Sequence, residues 1–264
     1  MAAMEPATLI TITFSHFCEK ARWALQHVGL PFREDGHLPI LHYAATRRVG
    51  AGRTVPVLVH RGRVIGDSTD ILLYLDGLDG AQRGAPRLYP PESSAARAEC
   101  LALEDRFDRD LGPATRRVAY FHLLPSFRAQ APSLRAGLPP LEAALLGPLL
   151  PLAAPLMAAA LRRGLGITPD GARRSQAKLD AVLDLVDRQL ADGRPYLLGA
   201  DFSAADLTFA ALLGPVLLPP GYGGPLPSLA DAPASLRALA ESIAARPAGA
   251  LALRAYRDHR RPAP

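Results

Sequence analysis

The N-terminal part of the chain is organised around residues 8–18, which have the sequence Thr-Leu-Ile-Thr-Ile-Thr-Phe-Ser-His-Phe-Cys. The β-branched run over residues 8–13 favours a β-strand. The run ends before Ser15, and residues 20–28 have helical character and are followed by Gly29, which predicts a helix with a glycine C-cap. At a junction between strand and helix, unpaired backbone N–H groups and the positive end of the helix dipole stabilise an anion.

Ser15 stands at this junction, where its hydroxyl can act on such an anion. A hydrogen bond from the hydroxyl to a bound thiolate would lower the pKa of the thiol. For the residue taken alone, a plain helix N-cap is the simpler interpretation. Cys18 lies about one turn into the helix, where a packing cysteine is the simpler interpretation and a redox nucleophile is the alternative.

Further along, the pattern alternates between extended and helical segments. Residues 31–34 restart an extended segment, and a loop rich in His, Arg and Gly covers residues 37–53. Residues 55–59, Val-Pro-Val-Leu-Val, predict a strand that turns at Arg61-Gly62 into a second one. A helix is expected to begin at Ser68 as its N-cap and to run to residue 74. The predicted order is β-α-β-loop-β-β-α.

Two features of this region could bind a peptide-like ligand. A proline at position 56, near the start of a strand, suits either a cis peptide bond or a sheet edge, and a cis bond would turn the backbone of Val55 towards a ligand. Asp67 and Ser68, at a helix N-terminus, could hold the ammonium and carboxylate of an amino acid. The alternative for this pair is an ordinary capped surface helix.

The rest of the chain is predicted to be helical. We expect an α/β domain over residues 1–80, a linker rich in Gly, Pro and Ser over 81–92, and an all-helical domain over 93–264. Helical spacing covers residues 95–111, 114–127, 173–190 and 204–213. Residues 132–169 form a very apolar insert, of which 138–161 is long enough to span a bilayer, but five prolines favour a broken helical insert instead. Contact of this insert with a membrane surface is the remaining alternative.

Composition excludes several classes of protein. The net charge is +5 and the pI is near 9.5. The basic residues are almost all arginines scattered among acids, with Lys20 and Lys178 the only lysines, which argues against a nucleic-acid surface. Cys18 and Cys100 make no disulfide framework and cannot complete a zinc site alone, which favours a reducing compartment. With no secretory signal visible in residues 1–8, we expect a cytoplasmic protein.

Taken in order and at their spacings, these motifs resemble the N-terminal domain of the glutathione S-transferase superfamily. The motifs are Ser-x-x-Cys at 15–18, Val-Pro-Val-Leu at 55–58 and Asp-Ser-x-x-Ile-Leu-x-Tyr-Leu at 67–75. In the second half, Phe-Ser-Ala-Ala-Asp-Leu at 202–207 is similar to the family's structural helix cap, with Ser203 as N-cap and Asp206 at N3. The resemblance, to a serine-type, bacterial-like member with an enlarged apolar helical domain, implies a thioredoxin-like domain followed by an all-helical domain.

The resemblance also implies roles for individual residues. Ser15 aligns with the residue that activates the glutathione sulfur. The residues that would bind glutathione are Arg53, Val55, Pro56, Asp67, Ser68 and His42. Among them, Val55 would pair through its backbone, Pro56 would be the cis-proline, and Asp67 and Ser68 would hold the γ-glutamyl end. The glycine carboxylate would meet Arg53, with His42 as the second candidate.

Two positions depart from the redox branches of the family. His16 stands where these relatives usually have proline, and Ser15 replaces their first cysteine, which argues against exchange through paired cysteines. The resulting expectation is a homodimeric detoxification enzyme that activates glutathione, or a related thiol, against a hydrophobic small molecule without a bound cofactor or metal. The alternatives are a non-catalytic binding module with the same fold and a Cys18-based thiol–disulfide or deglutathionylation activity.

Overall fold

A four-stranded mixed sheet organises the N-terminal half. The computed structural model describes residues 5–78, 87–126, 138–146 and 148–260. Its strands are β1 (Ala7–Ile12), β2 (Phe32–His37), β3 (Val57–His60) and β4 (Arg63–Ile65), in the spatial order β2-β1-β3-β4. β1 runs parallel to β2 and antiparallel to β3, so the β-branched segment identified in the sequence lies in the middle of the sheet.

Helices cover both faces of this sheet. They are α1 (His16–Val28), α2 (His42–Arg48) and α3 (Ser68–Asp76). Successive residues of β1 point to opposite faces: Leu9 belongs to the main core with residues of α1 and α3, whereas Ile10 packs with Ala45 of α2 and with Val57. This arrangement confirms the thioredoxin-like fold, with one addition, because the loop predicted over residues 37–53 contains α2.

Helices are the main regular elements of the remaining described residues, as predicted. The helices are α4 (Ala95–Arg106), α5 (Gly112–Leu123), α6 (Pro140–Leu146), α7 (Leu150–Gly164), α8 (Pro169–Gln189), α9 (Ala204–Leu217), α10 (Ala234–Ala244) and α11 (Pro247–His259). A π-helical turn, Phe107–Leu111, joins α4 to α5. Every residue of α9 is buried, so this helix is the axis of the helical half and α1 packs against it.

The start of α9 carries the predicted capping box. The backbone N–H and hydroxyl of Ser203 both donate to Oδ2 of Asp206, at 3.0 and 2.6 Å, and the Leu197 N–H donates to Oδ1 at 2.8 Å. Burial raises the pKa of Asp206 to about 6, although these hydrogen bonds act in the opposite direction. Ser203 and Asp206 therefore make the hydrogen bonds that begin α9.

Part of the predicted linker is packed into the core. Residues 79–86 lie outside the described residues, but Leu88 and Tyr89 are buried. The Leu88 carbonyl accepts a hydrogen bond from the Ala204 N–H at 2.8 Å, and the Tyr89 hydroxyl donates to Glu104 at 2.6 Å. These contacts fix the point at which the chain enters the helical half.

Buried charges join the two halves. The ammonium of Lys20 in α1 is fully buried and lies 2.8 Å from carboxylate oxygens of both Glu104 and Asp108. It also donates to the hydroxyl of Thr69, in the first turn of α3, at 2.9 Å. Because one cation from the sheet domain ties together α3, α4 and the π-turn, the halves hold a fixed relative position near the N-termini of α1 and α3.

The apolar insert forms two helices, α6 and α7, which confirms the prediction of a broken helical segment for residues 138–161. Residues 127–137, at its start, lie outside the described residues. On the outer face of α7, Leu152 and Leu156 are 74% and 76% exposed, whereas Ala158 is buried. Within the described part of the chain, no helix combines the length and the apolar character needed to cross a bilayer.

Candidate functional site

Ser15 lies at the end of the loop that connects β1 to α1. Its backbone N–H donates to the Ile12 carbonyl at 2.9 Å, and its own carbonyl accepts from the Glu19 N–H. Ser15 is the N-cap residue by position, in an extended conformation, but its side chain makes no capping hydrogen bond. The hydroxyl instead interacts with the thiol of Cys18. Ser15 therefore holds the N-cap position without a side-chain capping bond in this structure.

His16, the residue that departs from the redox relatives, is anchored to the helical half. Its Nε2 donates to the Gly112 carbonyl at 2.8 Å. Burial, with a smaller effect from the positive charge of Arg116, lowers the pKa of His16 to about 3, so the ring is neutral near pH 7. A Cβ on Gly112 would lie 2.5 Å from the ring of Phe17, so glycine is required for this close approach of the two halves.

Val55 and Pro56 lie at the same end of the sheet as Ser15. The Val55–Pro56 peptide bond is cis, as the resemblance implies. Pro56 directly precedes β3, whose Val57 pairs with Ile10 near the carboxyl end of β1. Because β1 and β3 are antiparallel, the start of β3 and the Ser15 loop lie side by side.

The N-terminus of α3 lies close to α1, since Thr69 in its first turn accepts a hydrogen bond from Lys20 of α1. The expected cap assignment was wrong by one residue: Asp67 is the N-cap, and its carboxylate accepts from the backbone N–H groups of Thr69 at 2.8 Å and Asp70 at 3.4 Å. Ser68 is the first helical residue and is buried. An aspartate and a serine stand side by side where this helix begins, and the spacing alone did not identify which one caps it.

Arg53 and His42 lie together, in different environments. His42 is buried, and its Nε2 donates to the carbonyl of Arg53 at 2.9 Å. The exposed guanidinium of Arg53 lies 5.8 Å from the centre of the Tyr43 ring. In this arrangement His42 supports the backbone of the segment, while the side chain of Arg53 is free to meet a ligand.

Cys18 is completely buried. Burial raises the pKa of its thiol to about 11, although Arg22 and Ser15 act in the opposite direction. A thiol with a raised pKa is almost entirely protonated near neutrality and is a poor nucleophile. This environment favours the packing interpretation.

An apolar cluster lies next to the Ser15 loop. Its buried members are Leu124, Ala158 and Ile167, and Phe14, Tyr120, Met157, Leu161 and Leu165 pack against them. The cluster joins Phe14, the residue before Ser15, to the inner face of α7. The structure thus places α7 of the insert beside the candidate thiol site.

Sequence reasoning missed a contact that holds the insert in place. His37, at the end of β2, donates through Nδ1 to Glu142 of α6 at 2.5 Å, and the Leu38 N–H donates to the same carboxylate at 3.3 Å. Nothing in the sequence indicated this pair, because the two residues are more than 100 positions apart. No cluster of potential metal ligands occurs among the described residues.

Comparison with known proteins gives one consistent result. The family model of the glutathione S-transferase N-terminal domain matches residues 9–83, and that of the C-terminal domain matches residues 169–242. A probable glutathione S-transferase of Oryza sativa subsp. japonica is 33% identical over an alignment of 118 residues, and the match covers 42% of this chain. The match spans only half the length of that curated relative.

Solved structures with low sequence identity share the fold over almost the whole chain. A glutathione S-transferase of Ceriporiopsis subvermispora in complex with glutathione is 19% identical, with a TM-score of 0.62 and coverage of 98% of this chain and 99% of that one. A beta-etherase of Sphingobium is also 19% identical, with a TM-score of 0.59 and coverage of 96% and 99%. On the two domain models and this shared fold, the chain belongs to the glutathione S-transferase superfamily.

Proposed function

We propose that this protein is a glutathione S-transferase-like enzyme, which binds glutathione or a related low-molecular-weight thiol as co-substrate and presents the thiolate to an apolar electrophile. Ser15 would donate its hydroxyl to the thiolate, and the N-terminus of α1 would stabilise the negative charge. Holding the thiolate beside an electrophile in the neighbouring apolar cluster would add the advantage of proximity.

One observation carries this proposal. The Ser15 hydroxyl makes no capping bond, and it lies at a helix N-terminus beside both the start of β3 and an apolar cluster. That combination offers hydrogen-bond donors for a bound thiolate and an apolar surface beside them for the electrophile. Transfer of a thiol to an apolar electrophile needs both. The glutathione in the Ceriporiopsis subvermispora structure supports the choice of thiol.

We extend the proposal to the remaining glutathione contacts. The backbone of Val55, next to cis-Pro56, would pair with the cysteinyl part, and Asp67 with Ser68 would hold the γ-glutamyl end. The carboxylate of Asp67 already accepts two backbone N–H groups, so it would act on the ligand's ammonium through its remaining lone pairs. Arg53 would meet the glycine carboxylate.

The substitution Ser15→Ala tests the proposed function. Loss of one positioned donor is expected to raise the pKa of the bound glutathione thiol and to lower turnover about 100-fold, a typical cost for removing such a donor. Ultraviolet titration of the thiolate in the complex measures the pKa. Ser15→Thr, which keeps a hydroxyl, should restore part of the effect, and Ser242→Ala, on the exposed face of α10, is the matched control.

Unchanged thiol pKa and turnover in Ser15→Ala would remove Ser15 from the mechanism. A well-folded protein that fails to bind immobilised glutathione would favour the non-catalytic binding module instead. An adduct on Cys18 after exposure to oxidised glutathione, detected by mass spectrometry, would favour the redox alternative. The raised pKa of Cys18 is evidence against that outcome.

The proposal includes a cytoplasmic homodimer that takes part in detoxification. The family resemblance supports the dimer, and the two free, buried cysteines suit a reducing compartment. Light scattering on the purified protein gives the oligomeric state directly, and a monomer at micromolar concentration would contradict this part.

A further inference from the structure

Arg116 occupies an unusual position on α5. Residues four apart on a helix share one face, so Gly112, Arg116, Tyr120 and Leu124 form a stripe along α5 and its C-cap. At one end of this stripe, the Gly112 carbonyl accepts the hydrogen bond from His16, next to Ser15. At the other end, Tyr120 and Leu124 belong to the apolar cluster that includes α7. Arg116 is the only charged residue of the stripe and lies between the thiol loop and the apolar cluster.

Within the described residues, no carboxylate pairs with Arg116. The charged or polar groups that act on its guanidinium are Tyr120 and the like-charged Arg117, and Arg116 in turn acts on His16. The side chain is half-buried, and burial lowers the pKa of its guanidinium. Arg117, by contrast, donates to the Leu165 carbonyl and to the Ser175 hydroxyl.

Arg22 and Arg260, which are more deeply buried than Arg116, both have acidic partners. Arg22 forms an ion pair with Glu34 at 2.7 Å, and Arg260 forms one with Glu19 at 2.7 Å. A charge that is withdrawn from water is normally paired, because its lost hydration must be replaced. Arg116 is half-buried, lies on α5 between the His16–Gly112 contact and the apolar cluster, and has no acidic partner among the described residues. It is therefore positioned to take its counter-ion from a ligand.

We propose that Arg116 binds an acidic group, such as a carboxylate, on the electrophile, so that the second substrate is an apolar molecule with an anionic end. The guanidinium offers a planar pair of donors that matches a carboxylate. The apolar cluster around Tyr120 and Met157 would receive the rest of the molecule. The inference rests on the proposed function, because it names the substrate class of that same site.

A matched pair of aryl chlorides provides the probes: 4-chloro-3,5-dinitrobenzoate, which is anionic, and its uncharged amide, 4-chloro-3,5-dinitrobenzamide. In each reaction, the glutathione thiolate forms a C–S bond at the carbon that carries chlorine. The C–Cl bond then breaks and chloride leaves with the bonding electron pair. The thiol proton has already passed to solvent, so the reaction needs no oxidant or reductant.

The measured quantity is the ratio of kcat/KM for the benzoate to kcat/KM for the amide. Arg116→Met is expected to lower this ratio about 10- to 100-fold, the usual cost of losing a hydrogen bond to a charged group. The loss should fall mainly on KM. Arg116→Lys should retain part of the preference, and Arg173→Met, which removes an exposed arginine of α8, should leave the ratio unchanged.

A binding measurement separates this inference from the proposed function. Calorimetry with the unreactive 3,5-dinitrobenzoate and 3,5-dinitrobenzamide is expected to show weaker benzoate binding to Arg116→Met, with or without turnover. If the wild-type protein conjugates neither probe but still prefers the benzoate through Arg116, the transferase proposal fails and the anion site stands. If the ratio and the binding are the same in wild type and Arg116→Met, the anion site is wrong. If Arg116→Met instead raises the pKa of bound glutathione and leaves the benzoate-to-amide ratio unchanged, Arg116 acts on the thiolate. That result would also overturn the proposed anion site.

Discussion

Lys20 gives the sharpest test of how the two halves are held together. Replacing it with methionine keeps most of the side-chain volume and removes the charge. The substitution leaves Glu104, which is 1% exposed, and Asp108, which is 23% exposed, without their shared cation. Breaking a buried ion pair by removing one partner typically costs about 3–5 kcal/mol. Because Lys20 serves two carboxylates and the Thr69 hydroxyl, we expect a loss of about 4–5 kcal/mol in the free energy of unfolding.

For a chain of this size, 1 kcal/mol moves Tm by about 2–4 °C. The expected fall in Tm for Lys20→Met is therefore about 8–20 °C, measurable by calorimetry and by urea unfolding. The double variant Lys20→Met/Glu104→Gln removes the more deeply buried orphaned charge and should recover about half of the loss. The other lysine of the chain, Lys178, is the matched control: it is 63% exposed and 3.8 Å from Asp110, so Lys178→Met should cost less than about 0.5 kcal/mol.

Two results would refute this reasoning. One is a Lys20→Met protein whose stability lies within about 1 kcal/mol of the wild type, the range typical of exposed ion pairs. The other is a double variant whose loss equals the sum of the single losses, because additivity would show that Lys20 and Glu104 are not coupled. Either would mean that the charges between the halves are more hydrated than their burial indicates.

Burial raises the pKa of Cys18 to about 11 and that of Cys100 to about 12, from 9.0, so alkylation of Cys18 by iodoacetamide at pH 8 should be about 100-fold slower in the folded than in the unfolded protein. The two thiols lose their protons at higher pH in the folded than in the unfolded protein, so the free energy of unfolding should fall as pH rises above about 9. Rapid alkylation of Cys18 at pH 8, detected by mass spectrometry, would contradict the burial of this thiol. Asp206→Ala removes a carboxylate that accepts three hydrogen bonds and should lower the unfolding free energy by about 2–4 kcal/mol, against about 1 kcal/mol for Ser94→Ala, which removes the N-cap of α4. Equal losses on urea unfolding would show that the α9 cap is no more important than an ordinary one.

Local signals in the sequence identified most of the elements that carry the site. The β-branched run of β1 and the glycine after α1 have a direct backbone cause, and Gly29 has the left-handed φ of 72° that a glycine C-cap adopts. The capping box at Ser203 was equally readable, since it depends on two residues three positions apart. Helix α2 was missed because seven residues with three basic side chains give no apolar periodicity.

The sequence by itself determined the fold class, the places of Ser15, Pro56 and the Asp67-Ser68 pair in the chain, and the broken character of the apolar insert, because each follows from local backbone preferences or from fixed spacings. Only the tertiary structure decided which of these groups meet, and in what environment. It placed Cys18 out of contact with water, paired His37 with Glu142, and put Lys20 between two carboxylates. It also left Arg116, on the helix that contacts His16, without an acidic partner among the residues that the structure describes. These properties depend on hydration lost and partners gained across distances of tens to hundreds of residues, which no local pattern encodes.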